Sequence, residues 1–536
     1  MRSWVNLIIR IAAAFFSGIL LYAAFPSVNL SFLAWFALVP LLIVCIRARP
    51  LHCFFLSFFF GVVFYTGVFY WIFSLQKYNI LHHAILGVYL CPLTGGFGLA
   101  VCYIAKRQGV VTALSTAPFF WVIQEYIRSN LSFLSLPWGL LAHSQYQHPM
   151  IIQIADISGT YGLSFLIVLV NSAIAALLYA GFARLISSRR TVSNPFLKQA
   201  RLPLITAILC MLVLFYGYVQ TSRPVEGQAL KISVIQGNIE QSKKWDKKYA
   251  PVIMQIYADL TQTASLQTPD LIVWPETATP GAINQDPRLY ERVRKIAGEA
   301  NTPLLLGSAQ VQKLKVERSQ VKGIKYLNSA YLVFPNRDKT KDQRYDKIRL
   351  LPFGEYLPYK KAIPWSYINI PEIDYFMSGK TFTLFKLDAH QFGVTICWEN
   401  IFPDIVRQFV KEGAGFIINL TNEAWFGESA APYQFLSMSV FRAVENKIYI
   451  IRCANTGISC FIDPQGRIVD RVKDSSGHDI FVRGILTATV IPHNHKTLYV
   501  QYGDWFVWAN LIGMLLTLLA SFFKKSNGTY SQSSIR

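Results

Sequence analysis

Eight apolar windows, each long enough to cross a bilayer, constrain this chain before anything else does. They lie near residues 4–25, 30–47, 52–74, 84–105, 110–128, 161–184, 203–220 and 505–523, where a spanning helix needs about 17 to 25 residues. One such window alone can be a buried core helix. Eight of them, several stopped abruptly by Lys or Arg, argue against a soluble chain, as does the 53% hydrophobic content. Arg2 precedes the first window as in a signal peptide, but Arg10 within it and the windows that follow make it an uncleaved helix.

Basic residues accumulate in cytoplasmic loops, and here they alternate. Arg2, Arg47 with Arg49, Lys106 with Arg107, the group Arg184, Arg189, Arg190, Lys198 and Arg201, and the pair Lys524 and Lys525 fall on one side; the opposite loops hold little beyond Lys77, Arg128 and Arg223. Both termini are therefore expected to be cytoplasmic. The organisation predicted is seven transmembrane helices over residues 1–220, an extracytoplasmic domain over 221–504, an eighth helix over 505–523, and a cytoplasmic tail over 524–536 whose Ser-rich end is disordered. The net charge of +21 is mostly this topology signal. Residues 224–504 hold 34 basic and 28 acidic residues, a balance of only +6, against 17 and 2 elsewhere. With no basic cluster interleaved with aromatics, nucleic-acid binding is not implied.

Five cysteines (Cys45, Cys53, Cys91, Cys102 and Cys210) fall in or beside the spans as small packing residues. Cys397, Cys453 and Cys460 remain in the polar domain, and an odd count leaves at least one free thiol. No CxxC or Cys/His spacing points to a metal site.

From Leu230 onward the pattern becomes short β-type runs alternating with helical stretches. Strands are predicted over 231–236, 271–274, 304–308, 330–334, 392–397, 416–420, 448–453, 459–462 and 467–470, and helices near 247–266, 286–300, 402–412 and 431–446. This rhythm predicts a layered α/β domain with function gathered at the carboxyl ends of strands.

Three segments carry chemistry. In Leu271-Ile-Val-Trp-Pro-Glu276 a strand runs into a carboxylate among apolar neighbours, which raise its pKa and fit it for a general base, although the segment alone also reads as a surface turn. In Tyr345-Asp-Lys-Ile-Arg-Leu-Leu-Pro-Phe-Gly-Glu355 the pair Lys347 and Glu355 lies in a stretch too irregular for a solvated helix face. A lysine in an apolar cleft can stabilise an oxyanion, whereas alone the pair reads as a surface salt bridge. In Phe392-Gly-Val-Thr-Ile-Cys397-Trp-Glu399-Asn-Ile-Phe-Pro a strand ends in a thiol at a strand-to-helix elbow, the geometry of a nucleophile with backbone N–H donors nearby; Glu399 orients the site or joins a carboxylate pair. A packing cysteine is the plainer reading, and it is the one taken for Cys453 and Cys460.

Together a base, a cation and a thiol at strand ends resemble the nitrilase superfamily, whose site is a Glu, a Lys and a Cys on an α-β-β-α sandwich. The segments Val234-Ile-Gln-Gly-Asn-Ile-Glu-Gln-Ser-Lys-Lys-Trp245-Asp, Leu420-Thr-Asn-Glu-Ala-Trp-Phe-Gly427 and Phe441-Arg-Ala-Val-Glu-Asn446 narrow the likeness, as do Leu136-Pro-Trp-Gly and Gly159-Thr-Tyr-Gly-Leu-Ser-Phe in the membrane half. All but the last residues resemble the apolipoprotein N-acyltransferase family. That resemblance implies a bacterial inner-membrane enzyme with a periplasmic nitrilase-like domain. Cys397 would take an acyl chain from a phospholipid as a thioester and pass it, by a ping-pong route, to the α-amine of the diacylglyceryl-modified N-terminal cysteine of an apolipoprotein. Glu276 would be base and acid, Lys347 would stabilise the tetrahedral intermediates, and Glu355 and Glu399 would support them. Trp245 matches a family aromatic on a mobile loop, and Trp398, Asn422 and Trp425 are the further substrate-contact candidates. Trp398 stands where much of the family has Tyr. No cofactor and no oligomer is implied.

A site beside eight spans suits transfer better than hydrolysis, because it can take long-chain lipids and exclude water from a thioester, whose life should be long. A membrane-tethered amidase acting on a small C–N substrate is the alternative enzyme. A transporter with an inert appended domain is a third possibility, disfavoured because Glu125 and Asp156 are the only acids of the membrane part.

Overall fold

The computed structural model describes residues 2–75, 78–186, 195–313, 324–335, 342–368, 376–494 and 496–524. Lys77, Arg189, Arg190, Lys525 and the Ser-rich tail, all used in the charge and disorder expectations, lie outside them.

The membrane half contains α1 (Arg2–Ala23), the short α2 (Val39–Cys45), α3 (Pro50–Val68), α4 (Ile80–Gln108), α5 (Val110–Asn130), two single-turn helices α6 (Pro149–Ile152) and α7 (Ala155–Ser158), α8 (Thr160–Ile186) and α9 (Pro195–Thr221). Among the described residues, seven helices are long and apolar enough to span, including the C-terminal helix Trp505–Phe523. The window at 30–47 is therefore not an eighth. It breaks into a 3-10 turn, Ser31–Trp35, and α2, with Pro40 in the first turn of α2. At that position its missing N–H costs nothing, and the turn through residues 36–38 separates the two pieces.

The polar half is an α-β-β-α sandwich. Its strands are β1 (Leu230–Gln236), β2 (Leu271–Val273), β3 (Leu304–Lys313), β4 (Ile324–Val333), β5 (Gln343–Asp346), β6 (Phe385–Leu387), β7 (His390–Ile396), β8 (Phe416–Thr421), β9 (Tyr449–Ala454), β10 (Cys460–Ile462), β11 (Ile468–Arg471) and β12 (Gly484–Val490). The helices are α10 (Ala250–Ser265), α11 (Pro287–Glu299), α12 (Pro403–Glu412) and α13 (Ala431–Asn446), followed by α14 (Leu498–Tyr502) and the membrane helix α15 (Trp505–Phe523). One sheet has the order β12-β1-β2-β3-β4-β5 and the other β11-β10-β9-β8-β7-β6. All nine predicted strands and four predicted helices of this domain are present. The strands β5, β6 and β12 were not anticipated. All three lie at sheet edges, where one flank needs no apolar cover and the hydrophobic run that announces a strand is weak.

Alternation along the strands builds two layers of core. Inward residues such as Val234, Leu271, Val273, Leu305, Val394, Ile396 and Ile418 meet between the sheets. Ile235, Ile272, Trp274, Leu304 and Leu306 face outward against Tyr257, Val293 and Ile296 of α10 and α11. On the other sheet α12 and α13 supply the outer layer, and α13 also fastens the domain to the membrane half. The Gln434 carboxamide oxygen accepts from the indoles of Trp71 (3.0 Å) and Trp138 (2.6 Å), and its nitrogen donates to the carbonyls of Pro26 (2.8 Å) and Val68 (3.1 Å). At the other end of α13, Glu445 accepts from the N–H and hydroxyl of Thr160 and pairs with Arg442 at 2.9 Å, all buried.

Candidate active site

The carboxyl ends of β2, β5 and β7 bring three ionisable side chains to one edge of the sandwich. Beyond β2 the chain turns sharply through Trp274-Pro275-Glu276, and Gly307 of β3 makes the turn possible. A Cβ at Gly307 would lie 2.6 Å from the Pro275 carbonyl oxygen and 2.7 Å from Glu276 Cα, closer than any side chain tolerates. Glu276 is buried, and Asn328 of β4 donates to its Oε1 at 2.7 Å. Burial raises the Glu276 pKa, Lys347 opposes the rise and Glu355 adds to it, the condition of a base near its working range.

Lys347 follows β5. Its main-chain N–H donates to the Asn328 carbonyl (2.8 Å) and its carbonyl accepts from Gly379 N–H (2.7 Å), so the backbone is pinned on both sides. Its side chain is 1% exposed, with Nζ 2.9 Å from Glu355 Oε1. Burial works against its charge, but the carboxylates of Glu355 and Glu276 and the Cys397 sulfur outweigh that and hold its pKa above the ordinary range. Glu355 also accepts from Leu351 N–H (2.6 Å) and lies 3.4 Å from Asn328 Nδ2, so one carboxamide touches both acidic groups.

Cys397 closes β7 and is partly buried, with φ +57°. A side chain in that region is strained by roughly 1–2 kcal/mol, and the surroundings hold it there. Asn419 Nδ2 donates to the Cys397 carbonyl (3.1 Å), and Glu399 braces the elbow. The Glu399 carboxylate accepts from the N–H groups of Ile396 (2.8 Å), Ile348 (2.7 Å) and Arg349 (2.9 Å) and from the Tyr345 hydroxyl (3.0 Å). It thereby ties the thiol elbow to the loop carrying Lys347, and with every lone pair engaged it is a brace rather than a base. Burial raises the Cys397 pKa, Glu276 and Glu355 push the same way, and Lys347 opposes them. These surroundings favour the protonated thiol.

Trp398 lines the site without pointing its N–H into it, because the indole donates to the Arg349 carbonyl at 2.8 Å. That bond answers what replaces a tyrosine hydroxyl here: the indole nitrogen is spent on the scaffold. Trp398 instead forms part of the wall of a cavity of about 740 Å³, shared with Phe133 from the loop after α5 and with Arg349, Tyr359, Phe376 and Phe402. Asn422 is buried and joins Gln241 (2.8 Å) and Asn455 (3.0 Å), linking its loop to the one bearing Trp245. Trp245 and Trp425 are 48% and 55% exposed. Sequence reasoning missed Asn328 and Gly307. A polar residue amid the apolar inward positions of β4 was the available signal for the first, and nothing local marked the second. It also missed Lys244, which is buried with its Nζ 2.9 Å from the Glu276 carbonyl oxygen.

The model of the apolipoprotein N-acyltransferase N-terminal domain matches residues 17–173, and that of the carbon-nitrogen hydrolase domain matches residues 231–491. An apolipoprotein N-acyltransferase of Geobacter metallireducens is 36% identical over 96% of this chain and 95% of its own length. Its Haemophilus influenzae counterpart is 29% identical over 96% and 95%. An amidase of the nitrilase superfamily from Nesterenkonia AN1 aligns with 54% of this chain and 98% of its own, with a TM-score of 0.37 and 19% identity. The relatives match the membrane half as well as the sandwich, which a tethered amidase or a transporter would not require; the chain belongs to the apolipoprotein N-acyltransferase family.

Proposed function

We propose that the chain transfers an acyl group from a phospholipid, through a thioester on Cys397, to the α-amine of the N-terminal diacylglyceryl-cysteine of apolipoproteins. The observation that carries this reading is one thiol, one raised carboxyl and one buried ammonium meeting at the strand ends beside a lipid-facing half. As the Cys397 sulfur attacks the ester carbonyl, Glu276 takes its proton and Lys347, steadied by Glu355, faces the developing oxyanion. Glu276 returns the proton to the leaving lysophospholipid oxygen. The acceptor amine then attacks the thioester, losing its proton to Glu276, and the thiol is restored. The cavity walled by Trp398 and Phe402 gives the donor room between membrane and domain.

The catalytic unit, residues 221–504, is periplasmic in this reading, with both termini in the cytoplasm of a bacterial cell and the chain in its inner membrane. With seven long helices, Arg2 and Arg47 share a side only if the broken segment Ser31–Cys45 returns the chain across. Five 3-10 residues, seven helical residues and their link reach on the order of 30 Å, the thickness of the hydrocarbon core.

Intact mass spectrometry after incubation with a defined phospholipid tests the reaction. A mass gain of one acyl chain, labile to neutral hydroxylamine, absent in Cys397→Ser and discharged by a diacylglyceryl-cysteinyl peptide, is expected. Absence of both adduct and lysophospholipid sinks the phospholipid donor.

A further inference from the structure

A second buried ammonium lies beside the site and has no part in the scheme above. Lys244 is 2% exposed, and its one hydrogen-bond partner among the described residues is the main-chain carbonyl of Glu276, at 2.9 Å. Lysine stems are long enough to carry the charge to water, so an ammonium kept inside needs anionic company. The titratable groups acting on it are the Glu276 carboxyl, from the turn after β2, and the Cys397 thiol, from the elbow after β7. Its charged chain neighbours are occupied elsewhere: Lys243 pairs with Glu240 at 2.8 Å, and Asp246 accepts from Lys248 N–H at 2.9 Å. Lys347, the other cation of the site, is paired with Glu355.

We infer that Lys244 is a positioning residue for acyl transfer: it fixes the turn that bears Glu276 and keeps a positive charge beside the anion while the proton passes from Cys397 to Glu276. This rests on the roles proposed above for those two residues. In the step concerned the S–H bond breaks, the proton bonds to a Glu276 carboxyl oxygen, the C–S bond forms and the carbonyl π pair moves onto its oxygen, so the negative charge ends on the oxyanion that Lys347 faces. The step starts only from an ionised Glu276, and the Lys244 charge opposes the rise of that carboxyl's pKa, keeping it ready to take the proton. Lys244 also immediately precedes the half-exposed Trp245, so its tether sets where that indole stands.

Burial lowers the Lys244 pKa to about 8, against the pull of Glu276 and Cys397. The ammonium is therefore charged at neutral pH and neutral a little above it. The test follows thioester formation by intact mass from pH 6 to 9.5 in the full-length protein in mixed phospholipid micelles, for the native chain, Lys244→Arg, Lys244→Met and Cys397→Ser. In the native chain the rate is expected to fall by about tenfold per pH unit above pH 8. Arginine stays charged throughout, so Lys244→Arg loses that alkaline limb. Lys244→Met is expected to react about 30-fold more slowly than native at pH 7, a loss of roughly 2 kcal/mol of transition-state stabilisation. An alkaline limb unchanged in Lys244→Arg, or a native rate in Lys244→Met, overturns the inference. If Lys244→Met fails to fold, the comparison of the native chain with Lys244→Arg still decides. A native chain that forms no Cys397-dependent thioester overturns the reaction itself, whereas a native thioester with indifferent Lys244 variants overturns this inference alone.

Discussion

Two neighbouring regions of one sheet, the ends of β7 and β9, each hold a cysteine, and β8 alone separates them. Burial raises both thiols. Cys453 Sγ donates to the carbonyls of Ile235 (3.4 Å) and Val273 (3.3 Å) across the sandwich, a thiol used as packing between sheets. Cys397 sits at a positive φ, partly open, with Glu276 and Lys347 acting on it. Strand-end position and burial are therefore common to the thiol proposed as nucleophile and to the one that packs between sheets; the turned backbone and the charges around it separate them.

Substitutions should widen or erase that difference. Cys397→Ser should lose the hydroxylamine-labile adduct entirely, and an adduct that survives in it would break the comparison. Glu276→Gln should slow thioester formation by about 10³-fold by removing the proton acceptor, read as single-turnover acylation. The same variant should melt higher than the native chain at pH 7. The folded chain holds the Glu276 proton more tightly than the unfolded one, so the stability this confers is present at low pH and lost as pH rises through the raised pKa. Lowering the pH should close the gap between the two melting temperatures. Lys347→Met should cost about 10²-fold in the same acylation assay by removing the oxyanion partner. Asn328→Ala, which strips a donor shared by Glu276 and Glu355, should cost about tenfold, near the 1–3 kcal/mol of an unmet buried hydrogen bond. Cys453→Ser should acylate at the native rate and lose only about 1 kcal/mol of stability in a denaturation series.

The sheet interiors were legible because their strands are buried on both faces and read as continuous apolar runs, as in Leu271–Val273. The residues Glu276 and Cys397 were legible because each ends such a run with a group that apolar surroundings do not tolerate idly, and Lys347 because its segment is too irregular for a solvated helix face. The window at 30–47 misled because hydropathy counts apolar residues without registering the turn that divides Ser31–Trp35 from Val39–Cys45. Lys244 was hidden by its neighbour, since Lys243-Lys244 looks like a solvated pair and only the fold turns one inward. Gln434 was hidden for the opposite reason: its four partners come from segments hundreds of residues away, and no local pattern encodes them.

Gln434 and Glu445 fasten α13 to the membrane half near both of its ends. A helix clamped at two points cannot tilt, so the position of the Cys397 thiol relative to the membrane half becomes a constant of the fold. In the reaction proposed above the sulfur does not descend to its donor; the donor ester has to come to it.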